Sequence, residues 1–429
     1  MQNVKGTFDY YGKEQAIRRK VQTLLRETFE LYGFEEMEAT VLNELDLLNS
    51  KYAGGDEIVK EMYQLTDQGK RRLGLRYDLT IPFAKVIALN PGIELPYKRY
   101  EIGKVFRDGP VKRGRLREFL QCDVDTVGVA GAEAEAELMQ LAAQVFRSLE
   151  IPIIVRWNNR RFLGELLESI GVPACELLSV MLTLDKLAKI GQEGVGEELL
   201  GKGIGTETTA SILELIEMEK PSIEQLSDKH RTGNYPGAVE VRALQEIIEK
   251  IGLADTCIFD PFLSRGLSFY TGTVYEIFDA TNAYTSSLGG GGRYDAIIGQ
   301  LVGRDDIRYP TVGLSFGMES MIQMIGNREV EQSSVVSVVV ISIGNVIPDV
   351  LNIAAELRAC GIRTGMDTSG RKLKRSLAAA SIQGIRFVLL AGEDEVRLGK
   401  VRLKDMEEMT ESVLTVQEAI YRIERVVGG

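Results

Sequence analysis

The alternation of apolar and polar positions predicts a β-hairpin over Arg99–Gly128, whose sequence is RYEIGKVFRDGPVKRGRLREFLQCDVDTVG. Residues alternate in character on both sides of a basic segment, Asp108–Arg117, which we take as the tip of the hairpin. Successive side chains point to opposite faces of a sheet, so Gln121, Asp123 and Asp125 are predicted to share one face.

The charges of this hairpin suggest a binding site. Three polar groups on one face of a buried strand are unfavourable unless they meet a ligand or one another. Arg107 ends the first strand, and the tip adds further basic residues: Lys112, Arg113, Arg115 and Arg117. A row of carboxylates beside a guanidinium and a basic loop suits a substrate with a cationic amine and a polyphosphate. The alternative is a solvent-exposed hairpin of mixed charge, and the hairpin taken alone favours that alternative.

The segments before the hairpin are also periodic. Apolar residues at helical spacing predict an amphipathic helix over residues 13–32. The segment GFEEMEATVL, residues 33–42, alternates and predicts a strand, and residues 56–72 predict a second hairpin with its turn at Gln68–Lys70. The following LGLRYDLTIPFAKVIA predicts a strand that leads into a helix with Pro82 in its first turn, where proline is tolerated.

Asp78 and Thr80 stand between that strand and that helix. Either residue can act simply as a helix N-cap. Alternatively, the two residues bind the ammonium group of a ligand. This segment taken alone favours the cap.

The middle of the chain changes in composition. Residues 130–151 predict a helix and IPIIVRWNN a strand, after which residues 160–255 predict a helical insertion with glycine-rich breaks at Gly194–Gly205. The sheet is expected to resume over residues 257–279. The run LGGGGRYDAIIGQL, Leu288–Leu301, places four glycines before a helix, where free backbone N–H groups suit an anion. A flexible loop is the alternative for the glycine run.

Strand and helix alternate again at the C-terminal end. TVGLSFGMESMIQMI predicts a strand, a glycine and a helix, and the polar residues 327–334 predict a linker. Residues 335–429 alternate strand and helix, which predicts a small α/β unit with a parallel or mixed sheet. The predicted organisation is therefore a core over residues 1–326 that contains the 160–255 insertion, then the linker and the 335–429 domain. A basic cluster before one helix suits either an RNA contact or an exposed helix start: Arg371, Lys372, Lys374 and Arg375.

Length and composition narrow the class of protein. At 429 residues the chain is too long for one ordinary core, and 44% hydrophobic and 26% charged residues are typical of a globular protein. No apolar run approaches the length needed to span a bilayer, and the N-terminus lacks the apolar core of a signal peptide. We therefore expect a cytoplasmic location and no membrane partner.

Cysteine, histidine and net charge exclude several kinds of chemistry. The four cysteines are far apart without a CxxC pair, so neither a structural zinc site nor a disulfide framework is indicated. With His230 as the only histidine, histidine-based catalysis and histidine-rich metal sites are nearly excluded. The net charge of −11 argues against a general nucleic-acid binder, although a local basic patch can still bind RNA.

Five local motifs stand in a fixed order: LRYDLTIPFA, RGRLREFLQCDVD, SRGLSFYTGTVYE, GGGGRYD and VGLSFGMES. With them the chain resembles the histidyl-tRNA synthetases, in particular their eukaryote-like branch, over essentially its whole length. The resemblance implies an α+β class II synthetase fold: an antiparallel sheet with flanking helices, a helical insertion and a C-terminal α/β anticodon-binding domain. It also implies a homodimer that activates L-histidine with ATP and Mg²⁺ and transfers it to tRNA(His).

The resemblance implies roles for individual residues on the histidine side. Asp78, Thr80 and Gln121 match positions that hold the α-amino group, and Asp125 and Tyr270 match the pair that reads the imidazole. The remaining matched positions of the histidine site are Leu79, Phe269 and Tyr294.

The arginines take the catalytic and ATP roles. Arg265 matches the family's catalytic arginine, which lies against the substrate carboxylate and the α-phosphate. Arg107 matches the arginine that binds the α-phosphate, and it borders both the histidine and the ATP site. The implied ATP site also contains Asp108, Arg115 and Glu319. This assignment agrees with the chemistry, because attack of a carboxylate on the α-phosphorus needs positioning and positive charge rather than a nucleophilic side chain.

The chain departs from the family pattern mainly at the ATP end. The family's third signature ends in Glu-Arg, whereas here Ser320 follows Glu319, and serine supplies neither the charge nor the fork of arginine. Ser268 and Phe269 replace an aspartate and a tyrosine, and the hairpin tip is shorter than in the eukaryote-like branch. The alternative function is therefore a paralogue that binds histidine without charging tRNA, such as a regulatory subunit of ATP phosphoribosyltransferase. That branch normally lacks the C-terminal domain, so its presence here favours the ligase.

Overall fold

The structure, a computed structural model, describes residues 1–49, 60–111, 115–218, 221–265, 269–304, 306–326 and 334–427. The chain divides into two compact units, Met1–Arg328 and Glu329–Gly429. Most of the predicted linker, and Lys112, Arg113 and Ser268, lie outside the described residues. The domain boundaries drawn from the sequence stay predictions.

An eight-stranded sheet is the centre of the first unit, in the order β1-β5-β6-β11-β10-β9-β7-β8. Its strands are β1 (Glu35–Glu36), β5 (Tyr97–Phe106), β6 (Glu118–Val127), β7 (Ile153–Asn159), β8 (Cys257–Phe259), β9 (Thr273–Asp279), β10 (Gly289–Arg293) and β11 (Thr311–Phe316). The neighbouring pairs are antiparallel except β1–β5 and β7–β8. The central hairpin predicted from the sequence is β5–β6.

Helices cover this sheet. They are Gly12–Leu31, Leu45–Leu48, Thr80–Leu89, Glu133–Ser148, Ile297–Leu301 and Met318–Gly326. The first helix was predicted from its period, and Ile17, Val21, Leu25 and Phe29, four residues apart, are buried in it. The ring centroid of Phe29 lies 5.6 Å from that of Phe316 at the end of β11, so this stripe packs on the sheet.

The predicted strand over residues 33–42 is mostly wrong. Only Glu35–Glu36 pairs with β5, and the next strand, β2, begins at Leu42. The backbone between them is satisfied differently, because the N–H of Ala39 donates to a side-chain oxygen of Glu101 at 3.1 Å. An alternating pattern cannot distinguish a strand from a segment whose backbone N–H donates to a buried carboxylate.

A small three-stranded sheet, β2-β4-β3, lies beside the large one. It contains β2 (Leu42–Glu44), β3 (Gln64–Thr66) and β4 (Arg72–Leu75). The predicted turn is present between β3 and β4, where Lys70 has a φ of 61°. This sheet leads the chain to Asp78 and the helix Thr80–Leu89.

The helical character predicted for residues 160–255 is confirmed. The helices are Arg160–Ser169, Ala174–Glu176 (a single 3₁₀ turn), Leu177–Leu184, Leu187–Gly201, Thr206–Glu217, Ile223–His230 and Pro236–Lys250. Four of them share a core that includes Leu163, Val180 and Leu199: Arg160–Ser169, Leu177–Leu184, Leu187–Gly201 and Thr206–Glu217. The breaks predicted over 194–205 are partly confirmed: the helix continues through Gly194 with its kink at Gly191, where φ is 70°, but it ends at Gly201 and the next helix begins at Thr206.

The second unit contains a five-stranded mixed sheet in the order β13-β12-β14-β15-β16. The strands are β12 (Val338–Ile343), β13 (Thr364–Asp367), β14 (Phe387–Gly392), β15 (Lys400–Asp405) and β16 (Thr410–Thr415). The helices are Ile347–Ala359, Leu373–Ile382, Glu393–Arg397 and Val416–Val427. The predicted strand–helix alternation is confirmed, and β14 to β16 add an antiparallel edge.

A chain of buried charges joins β5 and β6 to the segment before β2. Nη2 of Arg99 lies 2.6 Å from Oδ2 of Asp125, and Nη1 of Arg99 lies 3.7 Å from Oε2 of Glu101. Nη1 of Arg76 lies 2.6 Å from Oε1 of Glu101 and donates to the carbonyl of Ala39 at 2.8 Å. Positive and negative side chains alternate along this network, so each buried charge has a partner of opposite sign.

We predict that Glu101→Gln lowers the free energy of unfolding by about 3 kcal/mol or more, because it leaves two buried guanidinium groups short of a counter-charge. Urea denaturation of the purified protein measures this loss. The matched control is Glu118→Gln, which removes a more exposed partner of Lys104 at 2.5 Å and should change stability by less than about 1 kcal/mol. Equal effects of the two substitutions would show that the buried network is not stabilising.

Candidate active site

The inner face of the large sheet gathers the polar residues predicted from the hairpin. Asp123 and Asp125 on β6 lie opposite Glu101 and Arg99 on β5. Nε2 of Gln121 lies 3.0 Å from each carboxylate oxygen of Asp123, which confirms that the alternating residues share a face. The face continues across β11, β10 and β9 through cross-strand neighbours: Gly313, Ser315, Gly290 and Glu276.

A cavity of 510 Å³ opens on this face. Most of the predicted site residues line it: Asp78, Thr80, Arg107, Arg115, Gln121, Arg265, Phe269, Tyr270 and Glu319. Acidic and amide groups therefore meet arginines in one cavity, as the hairpin sequence suggested. The structure favours this hypothesis over a solvent-exposed hairpin of mixed charge.

The structure shows the capping role of Asp78 and places its side chain on the cavity wall, whereas ammonium binding stays a prediction. Oδ1 of Asp78 accepts the N–H of Ile81 at 3.1 Å, which caps the helix Thr80–Leu89, and its side chain also lines the cavity. Burial, assisted by the nearby charge of Asp123, raises the pKa of Asp78 to about 6, while the helix N–H groups and Arg107 oppose this shift. An ammonium ligand would relieve this unfavourable burial of charge.

Asp125 and Tyr294 lie behind the cavity wall rather than on it. The Tyr294 hydroxyl donates to Oδ1 of Asp125, and Arg99 holds Oδ2. Burial raises the pKa of Asp125, and Arg99 counteracts that effect. Leu79, also fully buried, contributes its carbonyl to Arg99 at 3.2 Å. The predicted imidazole-reading pair is thus split, with Tyr270 on the wall and Asp125 behind it.

Arg265 is half-buried and lines the cavity. Its backbone has a φ of 52°, an uncommon left-handed conformation for a residue with a side chain, and Nη1 donates to the carbonyl of Tyr275 at 3.0 Å. The guanidinium carbon lies 5.9 Å from the centre of the Tyr270 ring, and the group interacts electrostatically with Glu276. Two aromatic rings, those of Phe269 and Tyr270, pack 4.6 Å apart beside it.

The glycine run has a different function from the one predicted. Gly289–Arg293 is strand β10 in the middle of the sheet, paired on both sides, so its backbone does not form an anion-binding loop. A Cβ at Gly290 would overlap the guanidinium of Arg265, and a Cβ at Gly313 would overlap the carboxylate of Asp125. Glycine on these strands lets the charged side chains lie flat on the sheet.

Two further arginines, Arg107 and Arg115, also line the cavity. Nε of Arg107 donates to the carbonyl of Tyr77 at 3.2 Å, and its guanidinium lies 5.0 Å from the ring of Phe119. Arg115 donates to both carboxylate oxygens of Glu61 at 2.5 Å. Asp108 lies off the cavity wall, 3.5 Å from Nη2 of Arg117, so the structure does not bring it to the predicted ATP site.

Glu319 and Ser320 close the end of the cavity where the family has a Glu-Arg pair. The carboxylate of Glu319 accepts from the buried Arg18 of the first helix, whose guanidinium also lies over the ring of Tyr10 at 3.4 Å. Oγ of Ser320 accepts from the hydroxyl of Tyr284 at 2.9 Å. Hydroxyl groups therefore occupy the place of the missing guanidinium.

Sequence reasoning missed two acidic residues as parts of the site, because Glu61 and Glu276 also line the cavity. Asp123, which the hairpin pattern placed on this face, holds Gln121. Glu276 carries a detectable signal, a charged residue on an otherwise apolar strand, TVYEIFD. Glu61 carries no such signal, because its place in the site depends on its contact with Arg115, which is far away in the sequence.

Neither a metal cluster nor a membrane span is found within the described ranges. No group of three or more histidine, cysteine, aspartate and glutamate side chains there is arranged to hold a metal ion. No helix in the same ranges is long and apolar enough to cross a bilayer.

Comparison with known proteins identifies the family. The model of the histidyl-tRNA synthetase catalytic domain matches residues 6–321, and that of the anticodon-binding domain matches residues 324–425. The chain belongs to the histidyl-tRNA synthetase family. Histidine–tRNA ligase 1 of Bacillus cereus is 47% identical over 414 residues, which cover 96% of this chain and 97% of the relative. Histidine–tRNA ligase 2 of Shouchella clausii is 43% identical over 412 residues, 95% of this chain and 96% of that one.

A solved structure shows the same fold. The crystal structure of histidyl-tRNA synthetase from Nostoc sp. PCC 7120 matches with a TM-score of 0.82 and 26% identity over 99% of both chains. The family, the class II fold and the enzyme class expected from the motifs, an aminoacyl-tRNA ligase for histidine, are confirmed. The roles of individual residues stay predictions.

We predict that Asp78→Asn stabilises the protein at high pH. The pKa of Asp78 is raised from 3.8 to about 6, so its ionisation opposes folding above pH 6, and this penalty disappears as the pH falls towards 4. The variant keeps the acceptor that caps the helix. Urea denaturation should show a gain of about 1–3 kcal/mol at pH 8 that declines between pH 6 and pH 4.

The control for this experiment is Asp108→Asn, which changes an exposed aspartate at the tip of the β5–β6 hairpin. It should show no comparable gain. A variant of Asp78 that is no more stable than the parent at pH 8 would mean that the site already compensates the buried charge.

Proposed function

We propose that this cavity makes histidyl-adenylate from L-histidine and ATP and passes the histidyl group to tRNA(His). The observation that carries the proposal is the convergence of Asp78 and Gln121 with Arg107 and Arg265 on one cavity. The first two suit an α-ammonium group, and the arginines suit a carboxylate and a phosphate. The two charged groups on the α-carbon of the amino acid are thereby each bound by groups of opposite charge.

Histidine is held from three directions in this proposal. Asp78, Thr80 and Gln121 accept from the α-ammonium group, and Tyr270 faces the imidazole, with Asp125 behind it. Polar side chains of the site that must hydrogen-bond the ligand discriminate strongly between amino acids. An analogue without the matching donor or acceptor leaves a buried group of the protein without a hydrogen bond. Phe269, which packs on Tyr270, and Tyr294, which bonds Asp125, support this end of the cavity.

Adenylation follows from the position of the arginines. A carboxylate oxygen of histidine attacks the α-phosphorus of ATP, the new O–P bond forms, and pyrophosphate leaves with the bonding electrons. In this proposal Arg265 and Arg107 stabilise the charge on the carboxylate and the α-phosphate as the bond forms. Arg115 and Glu319 border the end of the cavity expected to receive the β- and γ-phosphates. A hydroxyl at the 3′ end of the tRNA then attacks the histidyl carbonyl, and AMP leaves.

Mg²⁺ is expected to accompany ATP. The carboxylate of Glu276 on the cavity floor is of the kind that Mg²⁺ uses together with substrate phosphates, so this residue would hold it. When bound, the ion supplies further positive charge to the phosphates.

The oligomer and the tRNA contacts are also proposals. We expect a homodimer that uses the surface around β2 and β3, where the side chains of Leu42 and Leu65 are exposed. The second unit, matched by the anticodon-binding model, is expected to bind tRNA(His). ATP and tRNA are cytoplasmic, which is where we expect the protein to act. The presence of this unit makes a histidine-binding paralogue that does not charge tRNA the weaker alternative.

We predict that Arg265→Ala reduces histidine-dependent ATP–pyrophosphate exchange at least a hundredfold, because it removes a charge that faces the reacting groups. Circular dichroism and thermal unfolding should stay near those of the parent. Arg156→Ala is a suitable control, since Arg156 pairs with Asp260 at 3.7 Å and is not on the cavity wall. Full exchange activity of the Arg265 variant would remove this residue from catalysis.

We predict that Ser320→Arg lowers the KM for ATP, because it restores a guanidinium at the phosphate end of the cavity. Ser320→Gln, of similar length but uncharged, is the control and should not do so. Exchange kinetics at varied ATP concentration measure both. An unchanged KM in the arginine variant would indicate that Arg107 and Arg115 already bind the phosphates sufficiently.

A further inference from the structure

Gln121 carries an unusual free acceptor. The residue is buried, with 9% exposure. Both amide hydrogens of its side chain are on Nε2, which donates to the two oxygens of Asp123 at 3.0 Å. Oε1 of Gln121 is buried and has no hydrogen-bond partner within the described residues. A buried acceptor without a partner is unfavourable unless a ligand supplies the donor.

Asp123 is itself fixed from several sides. It is 3% exposed, it accepts from the hydroxyl of Ser315 on β11, and the charge of Arg99 lies near enough to act on it. It lies behind Gln121 rather than on the cavity wall. The carboxylate is therefore placed to hold a neighbouring side chain, not to touch the substrate.

We infer that Asp123 is a positioning residue that orients the amide of Gln121 and so makes the site select the charged amino group of its substrate. Because a carboxylate accepts and cannot donate, it draws Nε2 towards itself and leaves Oε1 for the cavity. The reverse orientation would direct N–H groups at an ammonium ion and repel it. This inference rests on the proposed function, in which Gln121 binds the α-ammonium of histidine.

Asp78 makes the orientation matter. It lines the same cavity as Thr80 and Gln121, so a carboxylate oxygen of Asp78, the hydroxyl of Thr80 and Oε1 of Gln121 border one region. Three acceptors around one point suit a group with three donors, which is what a primary ammonium carries. A neutral or anionic group at that point would leave these acceptors unsatisfied.

The test compares L-histidine with imidazolepropionate, which lacks only the amino group, by calorimetry on the full-length protein. Asp123→Asn keeps an oxygen that accepts from Nε2, whereas Asp123→Leu removes both acceptors. We expect Asp123→Leu to weaken histidine binding at least tenfold and to leave imidazolepropionate binding unchanged. We expect Asp123→Asn to bind histidine within threefold of the parent. The KM for ATP should not change in either variant.

A second pair of variants tests orientation directly. Gln121→Glu should weaken histidine binding, because it places a carboxylate against Asp123. Combining it with Asp123→Asn should restore binding to within threefold, since a carboxylate offers an oxygen to the ammonium in either orientation. Thermal unfolding of each variant checks that it is folded.

The outcomes separate the inference from the proposed function. If the parent protein binds no histidine, the proposed function fails. If the parent binds histidine and Asp123→Leu binds it equally well, or loses both ligands to the same extent, the positioning role is wrong. If Asp123→Asn is as weak as Asp123→Leu, the negative charge of Asp123 acts directly and orientation is not its role.

Discussion

Arg99 on β5 and Asp125 on β6 lie opposite each other in the sheet, both fully enclosed, with 2.6 Å between Nη2 and Oδ2. Neither charge could remain there without the other, because the desolvation of a single buried ion costs several kilocalories per mole. Glu101 and Arg76 extend the alternation of charge to the backbone around Ala39. The carboxylates of the site can therefore stay in place before any substrate arrives.

The floor of the cavity depends on small residues as much as on charged ones. Gly290 and Gly313 lie on neighbouring strands, and they leave the space that Arg265 and Asp125 occupy. Side chains that would otherwise stand upright on the sheet can lie along it, buried and fixed. This arrangement lets an amino acid and a nucleotide meet on one surface of the protein, with acceptors at one end and arginines at the other.

The phosphate end is built from fewer cations than the family pattern has. Glu319 is paired with Arg18 of the first helix, and Ser320 is hydrogen-bonded to Tyr284. The charge of Arg115 is shared with Glu61. Substrate phosphates would therefore have to compete with a carboxylate for Arg115. Arg107 contacts a backbone carbonyl and an aromatic ring, and the charges of Asp78 and Glu61 act on it without a direct ion pair among the described contacts.

Local periodicity was sufficient for the elements that hold most of the site. The β5–β6 hairpin, the shared face of Gln121, Asp123 and Asp125, and the helix after Asp78 follow from alternation and capping within short segments. The motifs then assigned the family, because they preserve the spacing of groups that contact one ligand. Sequence alone thus determined the class of fold, the class of enzyme and nine of the residues that line the cavity.

Tertiary structure decided what depends on residues far apart in the chain. Glycines 289–292 form a central strand rather than a loop, because β9 and β11 pair with them on either side. The segment after Glu36 leaves the sheet because Glu101 accepts its N–H. Asp125 lies behind the cavity wall because Arg99 contacts its Oδ2 and the Tyr294 hydroxyl donates to its Oδ1. Pairing of buried charges and close packing on glycine are long-range effects, and no local pattern encodes them.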